Sequence, residues 1–151
     1  MLCQRDQPRI RIAPALIRFR MSNRTVTRSV EADLDPEKLL SVMNDPARLP
    51  EWAPVFADKV EHAQDGWRVT KNNESFNVQV NVSTVTGTVD FLREMADGKR
   101  AGAYARVFPR PLGGSVVVMT VPIAPGSDPV DVAQVLEQEL TTLVALGGRK
   151  R

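Results

Sequence analysis

The amino-acid sequence predicts an α+β domain. In it an antiparallel sheet of about six to seven strands packs against one long C-terminal helix, with two short helices after the first strand. Apolar and polar residues alternate over much of the segment 24–121, as is typical of strands buried on one face. Turn residues such as Asp65-Gly66 and Asn72-Asn73 separate these segments at hairpin spacing. From Asp128 the apolar residues follow a helical period, and Gly147-Gly148 ends it.

The length and composition indicate one soluble domain. The chain has 151 residues, of which 42% are hydrophobic, and it contains no run of about 18 apolar residues that could cross a membrane. We divide it into a basic extension over 1–22, a domain over 23–148 and a basic tail over 149–151. Cys3 is the only cysteine, which precludes an internal disulfide and favours a reducing, cytoplasmic location.

The basic residues are concentrated at the two ends of the chain. The net charge is +2, but residues 1–20 hold five arginines and one aspartate, and the last three residues are all basic. The body, residues 21–148, carries 12 basic and 17 acidic side chains. An acidic body repels phosphate, so we expect no nucleic-acid partner.

The first part of the predicted domain contains one strand and two short helices. The strand runs from Arg24 to Ala32, and Asp35-Pro36-Glu37 begins a helix that continues to Met43. A second helical turn follows over 47–49. Trp52 lies between Pro50 and Pro54, where we expect an irregular connection because proline disrupts helices.

The remaining elements are a meander of strands and the long helix. The strand segments are 59–63, 67–71, 74–82, 84–94, 103–108 and 115–121. The helix begins after Asp128 and runs to Leu146, with Val132, Leu136, Leu140 and Leu143 on one apolar stripe. Because it is the one element long enough to cover the apolar face of the sheet, we expect the two to pack together.

Five short segments carry a resemblance to a known family, and their specificity lies in their order: 28–37, 45–54, 65–67, 104–109 and 114–120. Together with the order of elements they resemble the START-like (SRPBCC) superfamily, the helix-grip fold, and in particular its polyketide cyclase/dehydrase-like branch. The resemblance covers about residues 24–147. It implies a curved sheet that wraps around the C-terminal helix and a cavity between them for an apolar or amphipathic small molecule.

The positions that strand and helix parity place inward are the candidate ligand-binding residues. They are Trp52, Trp67, Phe76, Val78, Phe91, Tyr104, Arg106, Met119, Leu136 and Leu140. On the strand 103–108 we place Tyr104, Arg106 and Phe108 inward rather than Ala103, Ala105 and Val107, because aromatic side chains have more apolar area to bury. The alternative is that these side chains simply fill the core.

The candidates for catalysis are Arg106, Tyr104 and His62, and none carries a complete catalytic constellation. Arg28 and Arg106 both fall on apolar parities, so each requires a protein carboxylate or a ligand anion as partner. Tyr104 could donate a hydrogen bond to a ligand carbonyl. His62 is the sole histidine and could transfer protons, but no carboxylate is placed to orient it.

The sequence therefore favours binding of a small hydrophobic or aromatic ligand of lipid, quinone or polyketide type. One alternative is a cyclase/dehydratase-like enzyme that uses the same pocket, and another is an interaction module with a filled core. Inward positions carry few polar groups, which favours binding over catalysis. No phosphate-binding loop, dinucleotide fingerprint or metal-ligand cluster occurs in the sequence, so we expect no cofactor and no metal. We expect the protein to be a monomer or a homodimer.

Overall fold

A computed structural model of the chain describes residues 24–150. The predicted extension over 1–22, with Cys3, and the final residue, Arg151, lie outside the described residues.

Seven antiparallel strands form a single sheet in the spatial order β1-β7-β6-β5-β4-β3-β2. The strands are β1 Thr25–Ala32, β2 Lys59–Ala63, β3 Gly66–Lys71, β4 Glu74–Ser83, β5 Thr88–Glu94, β6 Arg100–Pro109 and β7 Ser115–Pro122. The helices are α1 Pro36–Met43, α2 Leu49–Trp52 and α3 Pro129–Gly147, with a 3-10 turn Pro46–Arg48 before α2. This is the predicted helix-grip architecture: an open sheet, a long C-terminal helix, and short helices after the first strand.

The strand register determines which side chains share the face that packs on α3. Val78 lies opposite Arg93, Phe91 opposite Ala103, and Ala105 opposite Met119. Residues directly opposite each other in an antiparallel pair project to the same face. Val69, Val78, Val89, Val107 and Val117 on this face are each no more than 2% exposed.

The helix α3 closes the core from the concave side. The Asp128 carboxylate caps it by accepting the Val130 backbone N–H at 2.8 Å. Leu136, Leu140 and Leu143 are at most 1% exposed, so the predicted apolar stripe is confirmed. Within residues 24–150, no helix combines the length and apolarity that crossing a membrane requires.

Two local predictions were wrong. The segment 84–94 is not one strand, because 84–87 form a turn in which Gly87 has φ +71° and Val85 is 95% exposed. Pro50 does not prevent helix formation, because it lies in the first turn of α2, where its missing N–H costs nothing.

Candidate functional site

A cavity of about 880 Å³ lies between the concave face of the sheet, α2 and α3. Its wall is mainly apolar, and its larger apolar members are Leu49, Trp52, Val55, Phe56, Val78, Phe91, Met95, Met119, Val121, Ile123, Val132, Val135 and Leu136. The loop that joins β7 to α3 lines it as well. Ligand pockets typically measure roughly 300–1,000 Å³ and have mainly apolar walls, so this cavity can accept a drug-sized molecule.

Small residues on β6 explain why the cavity stays open. Ala101, Gly102 and Ala103 line it and lie opposite Arg93, Leu92 and Phe91 of β5. The methyl groups of Ala101 and Ala103 share the face of Phe91 and leave a gap that the side chains of α3 do not fill. Gly102 has the opposite parity, and a Cβ there would meet Leu92 and Tyr104 on the outer face. Larger side chains in place of Ala101 and Ala103 would narrow the space between the sheet and the helix.

Trp52 forms part of the cavity wall from α2. Its side chain is 1% exposed, and its ring meets Phe91 edge-on with centroids 6.0 Å apart. The indole Nε1–H is buried and has no hydrogen-bond partner within the described residues. A buried, unpaired donor costs roughly 1–3 kcal/mol, so a nearby acceptor would stabilise it.

Exposed apolar side chains mark the rim of the cavity. Val55 is 58% exposed and Met95 is 42% exposed, and both belong to the cavity lining. The loop that carries Val55 is anchored because Lys71 Nζ donates to the Pro54 carbonyl oxygen and to Asp58 Oδ1, both at 2.7 Å. The Lys71 ammonium and the Asn72 backbone N–H hold the pKa of Asp58 below its usual value.

Four charged residues belong to the cavity lining. Glu139 lies on α3, and burial raises the pKa of its carboxyl to about 7. Asp128 and Asp131 lie at the start of α3 and are exposed. The Arg93 guanidinium stacks over the Phe76 ring at 3.9 Å from its centroid. Of these four charged residues, Glu139 is therefore the one most shielded from water.

The structure brings part of the predicted ligand-binding set into this cavity. Trp52, Val78, Phe91, Met119 and Leu136 all line it. Trp67, Phe76 and Leu140 do not, although the first two share the concave face and Leu140 is buried in the core. Phe76 packs against Phe56, with ring centroids 5.5 Å apart.

The predicted inward orientation of Tyr104, Arg106 and Phe108 was wrong. Tyr104 is 48% exposed and Phe108 37% exposed, whereas Ala105 and Val107 between them are buried. Arg106 lies on the outer face and donates from Nε to the Thr86 carbonyl oxygen at 3.4 Å. Ala105 and Val107 occupy the buried face of this strand, so Tyr104, Arg106 and Phe108 project to the other face of the sheet.

His62 and Arg28 lie outside the cavity lining. His62 is exposed and stacks on Trp67, with ring centroids 3.9 Å apart, near the far edge of the sheet. Arg28 pairs with Glu137 on α3, Nε to Oε1 at 2.8 Å. Of the two partners considered for Arg28, the structure shows the protein carboxylate.

Two residues of the cavity lining, Glu139 and Arg93, were not predicted from the sequence. Glu139 follows Val132, Val135 and Leu136 by seven, four and three residues, which is the spacing of one helical face. Projection of α3 would therefore have placed this carboxyl toward the sheet. Arg93 lies on the face of Phe91, two residues further along β5, so strand parity would have placed it toward the cavity.

Solved structures share this fold. A structural-genomics protein from Chromobacterium violaceum superposes with a TM-score of 0.61 at 14% identity, over 84% of this chain and 99% of that one. The Zhui aromatase/cyclase from Streptomyces sp. R1128 gives 0.58 at 15% identity, over 83% and 94%. A START superfamily protein from Mycobacterium smegmatis gives 0.53 at 16% identity, over 82% and 93%.

The chain therefore shares the helix-grip fold of these solved structures, as the sequence resemblance implied. No family model matches the chain, and no curated protein matches its sequence. At these identities the likeness establishes the fold alone, and the chemistry has to be argued from the cavity.

Proposed function

We propose that the protein binds a small hydrophobic or aromatic molecule in the cavity between the sheet and α3. The observation that carries this proposal is the cavity itself, about 880 Å³ in volume and lined mainly by apolar side chains. Interiors are normally packed to crystal-like density, so an open apolar space of this size is costly unless it is occupied. A filled-core interaction module does not account for it.

The rim supports the same proposal. Val55 and Met95 expose apolar surface where the cavity meets solvent. An apolar ligand that enters there buries its own surface and that of the rim together, at roughly 25 cal/mol per Å². The solved neighbours named as an aromatase/cyclase and a START protein agree with a ligand of lipid, quinone or polyketide type.

A titration with the neutral apolar fluorophore N-phenyl-1-naphthylamine tests this function. The chain has two tryptophans, so a Trp67→Phe variant leaves Trp52 in the cavity wall as the single donor for energy transfer. We expect saturable quenching of the Trp52 emission as the fluorophore binds. Absence of saturable binding would contradict the proposed function.

A cavity-filling variant shows where the fluorophore binds. Ala103→Phe places a ring in the cavity, and we expect it to weaken binding by about tenfold or more, since it removes space and apolar contacts. Asn81→Phe is the matched control, because Asn81 is exposed on the other face of the sheet. Equal weakening by both variants would show that binding does not occur in this cavity.

A cyclase/dehydratase-like reaction is the second candidate function, and one observation favours it. Burial raises the pKa of Glu139 to about 7, which suits a general acid or base near neutral pH. Turnover of a poly-β-ketone substrate that is lost in Glu139→Gln would support this alternative. Binding of the same substrate without turnover would favour the binding function.

A further inference from the structure

Glu139 is a carboxyl group without a partner in an apolar wall. It lies beside Val135 and Leu136 on the cavity side of α3, and it is only partly exposed. Among residues 24–150, no hydrogen bond or ion pair reaches its carboxyl oxygens. A partly buried carboxyl without a partner is unfavourable for folding, so it is a candidate for a role toward a ligand.

The other charged groups of the cavity do not satisfy Glu139. Asp128 caps α3, and Asp131 on the same helix is exposed toward the mouth. From the sheet, Arg93 stacks on Phe76 and forms no ion pair with Glu139. Burial alone raises the pKa of Glu139 to about 7, so near neutral pH much of the carboxyl is protonated and can donate a hydrogen bond.

A second charged group lines the same cavity from β5. The Arg93 guanidinium belongs to the lining and carries a positive charge. The Trp52 Nε1–H has no acceptor among the described residues either, but it is buried even from the cavity space. A cationic ligand would meet the charge of Arg93, whereas a neutral ligand with an acceptor oxygen can pair with the Glu139 carboxyl.

We propose that the Glu139 carboxyl, which has no partner in the apolar wall, orients the ligand by donating a hydrogen bond to a carbonyl or similar oxygen, so that the cavity selects apolar molecules that carry such an oxygen. This inference rests on the proposed binding function and specifies its ligand class. Glu139 acts here as the residue that determines specificity, and the apolar wall supplies most of the affinity.

Two ligands of similar size test the inference on the full chain. 2-Acetylnaphthalene carries a carbonyl oxygen, whereas 2-ethylnaphthalene carries none. At about pH 6 we expect the acetyl compound to bind about three- to tenfold more tightly, as one net hydrogen bond allows. We expect this preference to shrink at about pH 8.5, where Glu139 is ionised and can only accept.

Three variants separate the hydrogen bond from packing. Glu139→Gln keeps a donor, so we expect it to retain the preference at both pH values. Glu139→Met removes the donor and should bind both naphthalenes equally. Gln138→Met is the matched control, since it places the same side chain at an exposed position of α3 and should behave like the wild type.

The possible failures can be told apart. If neither naphthalene binds the wild type, the proposed function fails. If both bind but Glu139→Met keeps the wild-type preference, the function stands and the inference is overturned. If 2-(aminomethyl)naphthalene binds more tightly than the acetyl compound, and more so as pH rises, Glu139 acts as an anion and the inference is again overturned.

Discussion

The Arg28 guanidinium and the Glu137 carboxylate form an ion pair, with Nε 2.8 Å from Oε1. The pair joins β1, at one edge of the sheet, to the solvent-facing side of α3. Arg28 also donates from Nη1 to the Thr27 carbonyl oxygen at 2.9 Å. Strand alternation places Arg28 among apolar residues, and the structure shows that its guanidinium is paired within the protein. The pair lies at the edge of the sheet, where water reaches it.

We predict that Arg28→Met lowers the free energy of unfolding by no more than about 1 kcal/mol, because both partners are largely exposed. Urea denaturation of the single variants and of the double variant with Glu137→Gln measures the coupling. The affinity for N-phenyl-1-naphthylamine should not change. A severalfold loss of affinity in Arg28→Met, absent in Glu137→Gln, would assign Arg28 to the ligand instead.

We predict that Arg106→Ala and Tyr104→Phe leave ligand affinity within about twofold of the wild type, as is usual for surface changes away from a site. Both side chains project from the outer face of the sheet, away from the cavity. Titration with 2-acetylnaphthalene checks this, because an orienting role would affect a carbonyl ligand most. A tenfold loss of affinity in either variant would show that the residue contacts the ligand, as strand alternation in the sequence predicted.

The error at β6 shows where sequence reasoning reaches its limit. Alternation in 74–82 is unambiguous, since Phe76, Val78 and Val80 alternate with polar residues. In 103–108 both parities contain apolar or small residues, so the pattern alone cannot choose. The choice depends on what packs against each face of the strand, which is a tertiary property. Ala105 and Val107 occupy the buried face even though aromatic residues have more area to bury.

The long helix was predictable because its apolar periodicity is local in the sequence. The raised pKa of Glu139 was not predictable in this way. A helical projection of the α3 sequence could place Glu139 on the apolar face. The pKa of its carboxyl, however, depends on how deeply the folded protein buries that group between the helix and the sheet. The cavity likewise depends on distances between elements that are remote in sequence. Ala103 on β6 and Leu136 on α3 are an example.

We predict that Gly87→Ala destabilises the fold more than Gly98→Ala does. Both glycines have positive φ, +71° and +77°, so each substitution carries a similar backbone penalty of about 1–2 kcal/mol. A Cβ at Gly87 would lie 1.9 Å from the Val107 carbonyl oxygen, whereas one at Gly98 meets nothing within 4 Å. Thermal and urea denaturation should therefore show about 1–3 kcal/mol more destabilisation at Gly87. Equal effects would mean that the turn at 84–87 relaxes to admit the methyl group.

We predict that Glu139→Gln makes the protein more stable than the wild type above about pH 7, with little difference below about pH 4. The folded-state pKa of Glu139 is raised to about 7, above the unfolded value near 4.3, so the folded state holds a proton that the unfolded state has released. The contribution of Glu139 to stability accordingly falls as pH rises from about 4 to about 7, by an amount on the order of 3–4 kcal/mol.

The difference in unfolding free energy between the two proteins, measured in urea from pH 4 to 8.5, isolates this carboxyl from every other titrating group. Glu137→Gln is the control, because it makes the same substitution two residues away at an exposed position of α3. Parallel pH profiles for wild type and Glu139→Gln would show that Glu139 ionises freely in the folded protein. The proposed donor to the ligand oxygen would then be absent at neutral pH, and binding of 2-acetylnaphthalene should show no pH dependence across the same range.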